Sequence, residues 1–320
     1  TTPVAKHGRL SVKGADLVDS KGNKFQLRGI STHGINWDVG SPYVNKKAFK
    51  TLRDDWGVNA IRLAMYTEEY NGYCSGGSQA KLRKLVDKGV GYATDLGMYA
   101  IIDWHILSDG NPNKNKAQAK KFFTTMAKKY KNNKNVIYEI CNEPNGCGWK
   151  EIKSYATDII KTIRKYDKKA VIIVGTPTWS QLGTDGTSNE VADSPIKGYK
   201  NIMYSLHFYA SEWAHNEYLP AKVAYARKKK LPIIVSEFGL SPASGDGAIN
   251  KASADKWMKM LNKYNISYFC WSLSNKNESA SLLKPSTKKT SGWKSGDLST
   301  AGKYIKKKYL ARKKALGKKA

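Results

Sequence analysis

A chain of 320 residues with 40% hydrophobic content has material for one large core or two small ones, and no apolar run approaches the roughly 18 to 20 residues of a membrane span. Its 55 Lys and Arg against 26 Asp and Glu give a net charge of +29, which favours anionic surfaces without specifying a nucleic-acid partner. The lysines fall singly or in short clusters, as at Lys120-Lys121, Lys128-Lys129 and Lys228-Lys229-Lys230, with no nucleic-acid-binding motif among them. Such a coat over an ordinary domain points to surface adaptation or to deliberate Lys supercharging, and the second is preferred.

Taken in order, Leu10-Ser11-Val12, Leu17-Val18 and the turn Asp19-Ser20-Lys21-Gly22-Asn23 predict a small N-terminal β-hairpin that plugs one end of the domain. Strands are then expected at 25–30, 60–65 and 99–104, alternating with helices at 45–56, 78–96 and 116–130. The central stretch is Val136-Ile137-Tyr138-Glu139-Ile140-Cys141-Asn142-Glu143-Pro144. Its first half reads as a buried parallel strand, and Pro144 holds Glu143 extended at the strand terminus. A helix at 152–166 and a strand at 171–175 follow, then a long polar loop at 182–200. The remaining strands are expected at 202–206, 233–236 and 266–271, with helices at 219–230, 251–264 and from 299 past 309.

Eight short apolar strands, each followed by a loop and a helix, predict an α/β fold of the (β/α)8 TIM-barrel type. One catalytic domain is expected over 1–309, with a basic C-terminal tail at 310–320. A doubly wound sheet is disfavoured because no Gly-x-Gly-x-x-Gly or Gly-x-x-x-x-Gly-Lys loop follows a strand. Of the four cysteines, Cys141 and Cys270 lie in strand-like runs as small hydrophobes. Cys74 and Cys147 fall in Gly-rich loops, and whether they pair is left open.

A barrel gathers the residues that follow its strands onto one face. Here these are His33 and Trp37 after the first, Arg62 and Tyr66 at the second, His105 after the third, and Asn142 with Glu143 after the fourth. Trp179 follows the fifth, His207 and Tyr209 the sixth, Glu237 the seventh and Trp271 the eighth. Glu143 and Glu237 suit double-displacement glycoside hydrolysis, in which one carboxylic acid protonates the departing oxygen and a carboxylate about 5 to 5.5 Å away attacks the anomeric carbon. Arg62 is placed to support the attacking carboxylate, and the aromatics offer flat faces to pyranose rings. His105, His207 and the two Glu raise metal chemistry as a rival, but no His-Glu-x-x-His spacing supports it, so neither metal nor cofactor is expected. A Gly-x-Ser-x-Gly elbow for Ser-His-Asp hydrolysis is also absent.

Arg62, Asp103-Trp104-His105, Tyr138 through Pro144, His207-Phe208-Tyr209, Ser236-Glu237-Phe238-Gly239 and Trp271 together resemble the signature set of family 5 glycoside hydrolases. The likeness is greatest to bacterial secreted endo-1,4-β-glucanases and runs from Pro3 through Trp293. It implies Glu143 as acid/base, Glu237 as nucleophile, Asn142 as a partner of the sugar 2-hydroxyl, and Arg62 with Tyr209 around Glu237. His105 and His207 would line the site, Trp37, Trp179 and Trp271 would be subsite aromatics, and Lys276 and Glu278 would be polar sugar contacts. The family often has Trp where this chain has Phe238, and the loops at 70–77 and 182–200 look distinct. The implied substrate is a cellulose-like β-glucan. The alternatives are a preference for mannan, xyloglucan or mixed-linkage glucan, or a non-catalytic carbohydrate-binding scaffold. A secreted monomer is expected, its signal peptide absent from this sequence, which begins Thr1-Thr2-Pro3.

Overall fold

The structure, a computed structural model, describes residues 1–320. Two strands, β1 (Ser11–Lys13) and β2 (Asp16–Val18), pair antiparallel as a hairpin. Eight more follow: β3 (Arg28–Thr32), β4 (Ala60–Tyr66), β5 (Tyr99–His105), β6 (Val136–Glu139), β7 (Ile172–Val174), β8 (Ile202–Tyr209), β9 (Ile233–Gly239) and β10 (Tyr268–Leu273). These eight pair in parallel and close into a barrel in the order β10-β3-β4-β5-β6-β7-β8-β9. Every residue in them is buried, as strands enclosed between an inner packed layer and a helical coat require.

The coat forms where apolar residues recur at helical spacing. Over Lys46–Trp56, the buried Ala48, Phe49, Leu52 and Trp56 lie along one stripe. Asn45 caps its start, its Oδ1 accepting from Ala48 N–H at 2.7 Å, and Gly57 at φ 71° ends it in the left-handed conformation. Two apolar layers result. The larger cluster, 74 buried residues, fills the space between barrel and helices. A smaller one of 14 joins Leu10, Leu17 and Phe25, from the N-terminal segment, to the inward-facing Tyr99, Ile101, Ile137, Ile173 and Phe269, so the hairpin region closes the barrel floor.

Several boundaries differ from the expectations. Phe25 and Leu27 precede β3 and pack in the floor. β8 continues through His207 and Tyr209 because these polar side chains face the barrel interior rather than ending the strand. The helix expected from 219 begins at Trp213 and carries Pro220 inside it. The last helix runs Thr300–Leu316, so the basic segment from 310 continues a packed element: Arg312 donates to Gln26 Oε1 at 2.8 Å and to Asn265 Oδ1 at 2.7 Å. All four cysteines, Cys74 and Cys147 included, are free thiols. No helix is long and apolar enough to cross a membrane.

Candidate active site

Strand alternation builds the site in tiers. Along β4 the side chains of Ala60, Arg62, Ala64 and Tyr66 share one face, and along β5 those of Ile101, Asp103 and His105 do. The barrel interior therefore changes upward from an apolar floor through a charged middle to an open mouth. In β9 the register against β8 slips, Ser205 pairing with Ile234 but His207 with Glu237. The extra β9 residue brings both Ser236 and Glu237 to the interior, where strict alternation would expose only one.

The charged tier centres on Arg62, which is fully buried. Its Nε and Nη2 donate to Glu139 at 2.8 and 3.2 Å, Nη2 also donates to Asn142 Oδ1 at 2.7 Å, and Nη1 donates to Glu237 Oε1 at 2.9 Å. Asp103 Oδ2 lies 3.2 Å from Nη2 and 2.5 Å from His105 Nδ1. Burial opposes the guanidinium charge, but Asp103, Glu139 and Glu237 around it outweigh that cost and hold Arg62 firmly protonated. Burial pushes Asp103 up to about 8 and raises Glu139 above the usual carboxylate range, with Arg62 opposing both shifts. Tyr209 Oη donates to Glu237 Oε2 at 2.7 Å, and burial followed by the Glu237 charge keeps that phenol protonated. Both Glu237 oxygens thus accept from groups that do not lose their protons near neutrality.

A second chain of hydrogen bonds fixes the state of Glu143. Ser236 Oγ donates to Glu139 Oε2 at 2.8 Å, the same carboxylate that receives two Arg62 N–H groups. The Ser236 oxygen therefore accepts from His207 Nε2 at 2.7 Å, which assigns the Nε2–H tautomer to this neutral ring, lowered by burial to about 4. His207 Nδ1 is then an acceptor, and Glu143 Oε2 at 2.7 Å from it must supply the proton. The same conclusion follows from burial, which pushes the Glu143 carboxyl up to about 8.

Above these tiers lies a cleft of about 630 Å³. His33, Trp37, Tyr66, His105, Glu143, Trp179, His207, Tyr209, Glu237, Trp271, Lys276 and Glu278 all line it, while Arg62 and Asn142 sit beneath it. One wall is aromatic: Trp37 to Tyr66 and Tyr66 to His105 are each 4.5 Å between ring centroids, and His105 stacks on Trp271 at 5.2 Å. His33, lowered to about 3 by burial first, lies 3.8 Å through Nε2 from Glu278 Oε2, which belongs to a carboxylate 3.1 Å from Lys276 Nζ. The sequence did not single out Asp103, Glu139 and Ser236 as site residues, although each is polar in a buried strand. Glu69, Gln181 and His215 also line the cleft from loops and a helix start that carry no motif. Glu143, His207 and Glu237 place one ligand atom each within 4.8 Å of one another, the geometry of a cation site. Both nitrogens of His207 and both oxygens of Glu237 already bond protein groups, Arg62 among them, so this donor set does not fit a resident metal.

Comparison with known proteins places this geometry. The family model for cellulase, glycosyl hydrolase family 5, matches residues 18–277. Endoglucanase A of Butyrivibrio fibrisolvens is 46% identical over 303 residues, 93% of this chain and 68% of that enzyme. An endoglucanase of Clostridium saccharobutylicum is 48% identical over 304 residues, covering 94% of this chain and 64% of its own length. The catalytic domain of Thermobifida fusca endoglucanase Cel5A, solved with cellotetraose, superposes with a TM-score of 0.89 at 35% identity, covering 97% of this chain and all of that one. A barrel with two carboxyls facing each other across an aromatic cleft, matched by that family over most of its length, belongs to glycosyl hydrolase family 5, the cellulases.

Proposed function

We propose that the protein is a retaining endo-1,4-β-glucanase that cuts internal bonds of cellulose-like chains by double displacement. The observation that carries this reading is the closeness of the two carboxyls: one oxygen of Glu143 and one of Glu237 lie within 4.8 Å. Retaining enzymes keep the pair about 5 to 5.5 Å apart, whereas inverting ones leave about 6.5 to 9.5 Å for a water. Glu143, protonated and backed by His207, gives its proton to the leaving oxygen and later takes one from water. Glu237, held through both oxygens by Arg62 and Tyr209, attacks the anomeric carbon. Asn142 Nδ2 donates to Ile106 O at 2.9 Å, which leaves its second hydrogen for a sugar 2-hydroxyl. Trp37, Trp179 and Trp271 supply ring faces for pyranoses, and Lys276 with Glu278 polar contacts. The cellotetraose held by the Thermobifida enzyme supports a β-1,4-glucan as substrate. Since such polymers do not enter cells, the enzyme works as a secreted protein.

Glu237→Gln should abolish cleavage, because nothing remains to form the covalent sugar intermediate. Azide rescue then separates the roles. Glu143→Ala should give a β-glycosyl azide, by attack on an accumulated α-glycosyl-enzyme, and Glu237→Gly an α-azide. The same anomer from both would overturn the assignment. Reducing-sugar release should be greatest on cellulosic β-1,4-glucan among cellulose, mannan, xyloglucan and mixed-linkage glucan; a larger release from another polymer would redirect the substrate.

A further inference from the structure

The chain leaving β7 follows an uncommon backbone path. Thr178 (φ 62°, ψ 59°), Trp179 (φ 55°, ψ 47°) and Ser180 (φ 60°) pass in succession through the left-handed region, and Leu182 (φ 63°) returns to it. Left-handed residues are mostly single Gly or Asn, because in others Cβ crowds the following carbonyl. A β-branched Thr followed by Trp and Ser in this conformation persists only where its surroundings hold it.

What it packs against is the loop that carries Glu143. Trp179 N–H donates to Pro144 O at 2.8 Å, and Ser180 Oγ donates to Asn142 O at 2.7 Å. The carbonyls on either side of Glu143 are thereby gripped by two adjacent residues of one turn. The Asn142 carbonyl belongs to the peptide plane that contains the Glu143 N–H, so its direction helps set where the Glu143 side chain starts. Ser180 Oγ in turn accepts from Thr176 N–H at 3.3 Å, and Thr176 Oγ1 donates to Ser205 O on β8 at 2.9 Å. The turn is thus anchored to the strand that carries His207. An extended path after β7 would not present these two donors to positions 142 and 144 together.

We propose that the left-handed turn Thr178-Trp179-Ser180 is a clamp that positions Glu143 for proton transfer, with Ser180 and Thr178 as positioning residues. This rests on Glu143 being the acid. Trp179, 47% exposed, lines the cleft while its backbone holds Pro144, so the residue that offers a sugar its face is bonded to the loop that offers the proton.

The test is the dependence of kcat/KM on the leaving group. A dinitrophenyl cellobioside departs without protonation, whereas cellotetraose needs an acid aimed at its glycosidic oxygen. Ser180→Ala should lose about 10- to 100-fold on cellotetraose, the scale of a misplaced catalytic group, and stay within about twofold on the dinitrophenyl substrate. Thr178→Gly, which loosens the turn while relieving its strain, should show the same pattern more weakly, and it carries the comparison if Ser180→Ala does not fold. Equal losses on both substrates, or none on either, would overturn the clamp. Glu143→Ala measured alongside separates the two ideas. If its losses ignore the leaving group, the acid assignment falls and the clamp with it; if only Ser180→Ala and Thr178→Gly ignore it, the clamp alone falls.

Discussion

At the scale of single residues, the site works by pushing two groups away from their ordinary proton affinities. Burial takes Glu143 up to about 8 and His207 down to about 4, so near neutrality the carboxyl is the donor and the imidazole the acceptor across 2.7 Å. An enzyme that needs Glu143 protonated should lose kcat/KM as pH rises through about 8, about tenfold per further unit. A pH profile whose alkaline limb lies well below that value would contradict the assignment. The same shift affects stability. Between the ordinary carboxyl value of 4.5 and about 8 the folded chain keeps a proton that the unfolded chain has released, so this contribution is complete below 4.5 and is lost as pH rises to 8. Glu143→Gln removes the titration. Its melting temperature should gain on that of the parent from pH 4.5 to 8, by several degrees; a constant gap would show that the carboxyl is not held neutral by the fold.

At the scale of elements, the residue that follows β7 packs its backbone tightly against the chain that follows β6. A Cβ added to Gly175 would lie 2.1 Å from Cys141 O and 2.7 Å from Pro144 Cδ, so a main-chain carbonyl would have to move. Gly175→Ala should cost about 1 to 3 kcal/mol, read as a lower urea midpoint, and should also lower kcat because the displaced segment carries Asn142 and Glu143. Full activity in the destabilised variant would mean that the site tolerates movement of that loop. This contact is invisible in the sequence, as are the β9 slip that turns Ser236 and Glu237 inward together and the left-handed turn at 178–180. Each depends on what a distant strand presents. The barrel itself was legible because strands buried on both faces become continuous apolar runs, and Glu143 and Glu237 because each ends such a run within a recognisable motif. The end of β8 was not, since His207 and Tyr209 look like loop residues until the barrel interior is known to be polar at its mouth. The helix expected from 219 likewise began too late: it starts at Trp213 and runs through Pro220.

At the scale of the whole molecule, charge is distributed in two opposed ways. The buried centre sets Arg62 among Asp103, Glu139 and Glu237, whereas the exterior carries most of the 55 basic residues and a net charge of +29. Surface pairs such as Lys50 with Asp54 at 2.5 Å and Lys129 with Asp87 at 2.6 Å offset little of this, since exposed ion pairs contribute about 0 to 1 kcal/mol each and acidic partners are outnumbered. What remains is long-range repulsion among lysines, which salt screens over about 30 Å at 0.01 M and about 8 Å at 0.15 M. Screening should therefore raise the melting temperature modestly across that range, while the buried Arg62 network, screened much less, keeps kcat/KM on a soluble neutral glucan nearly constant. We propose that the same charge draws the protein to anionic surfaces such as lignin at low salt and releases it as salt is added, whereas pure cellulose, nearly neutral, should bind independently of ionic strength. Thermal unfolding and adsorption to lignin-rich and pure cellulose surfaces, followed from about 0.01 to 0.15 M salt, test both effects. A melting temperature that falls steadily over this range, or lignin adsorption indifferent to it, would mean that the lysines do not act as a mutually repelling coat.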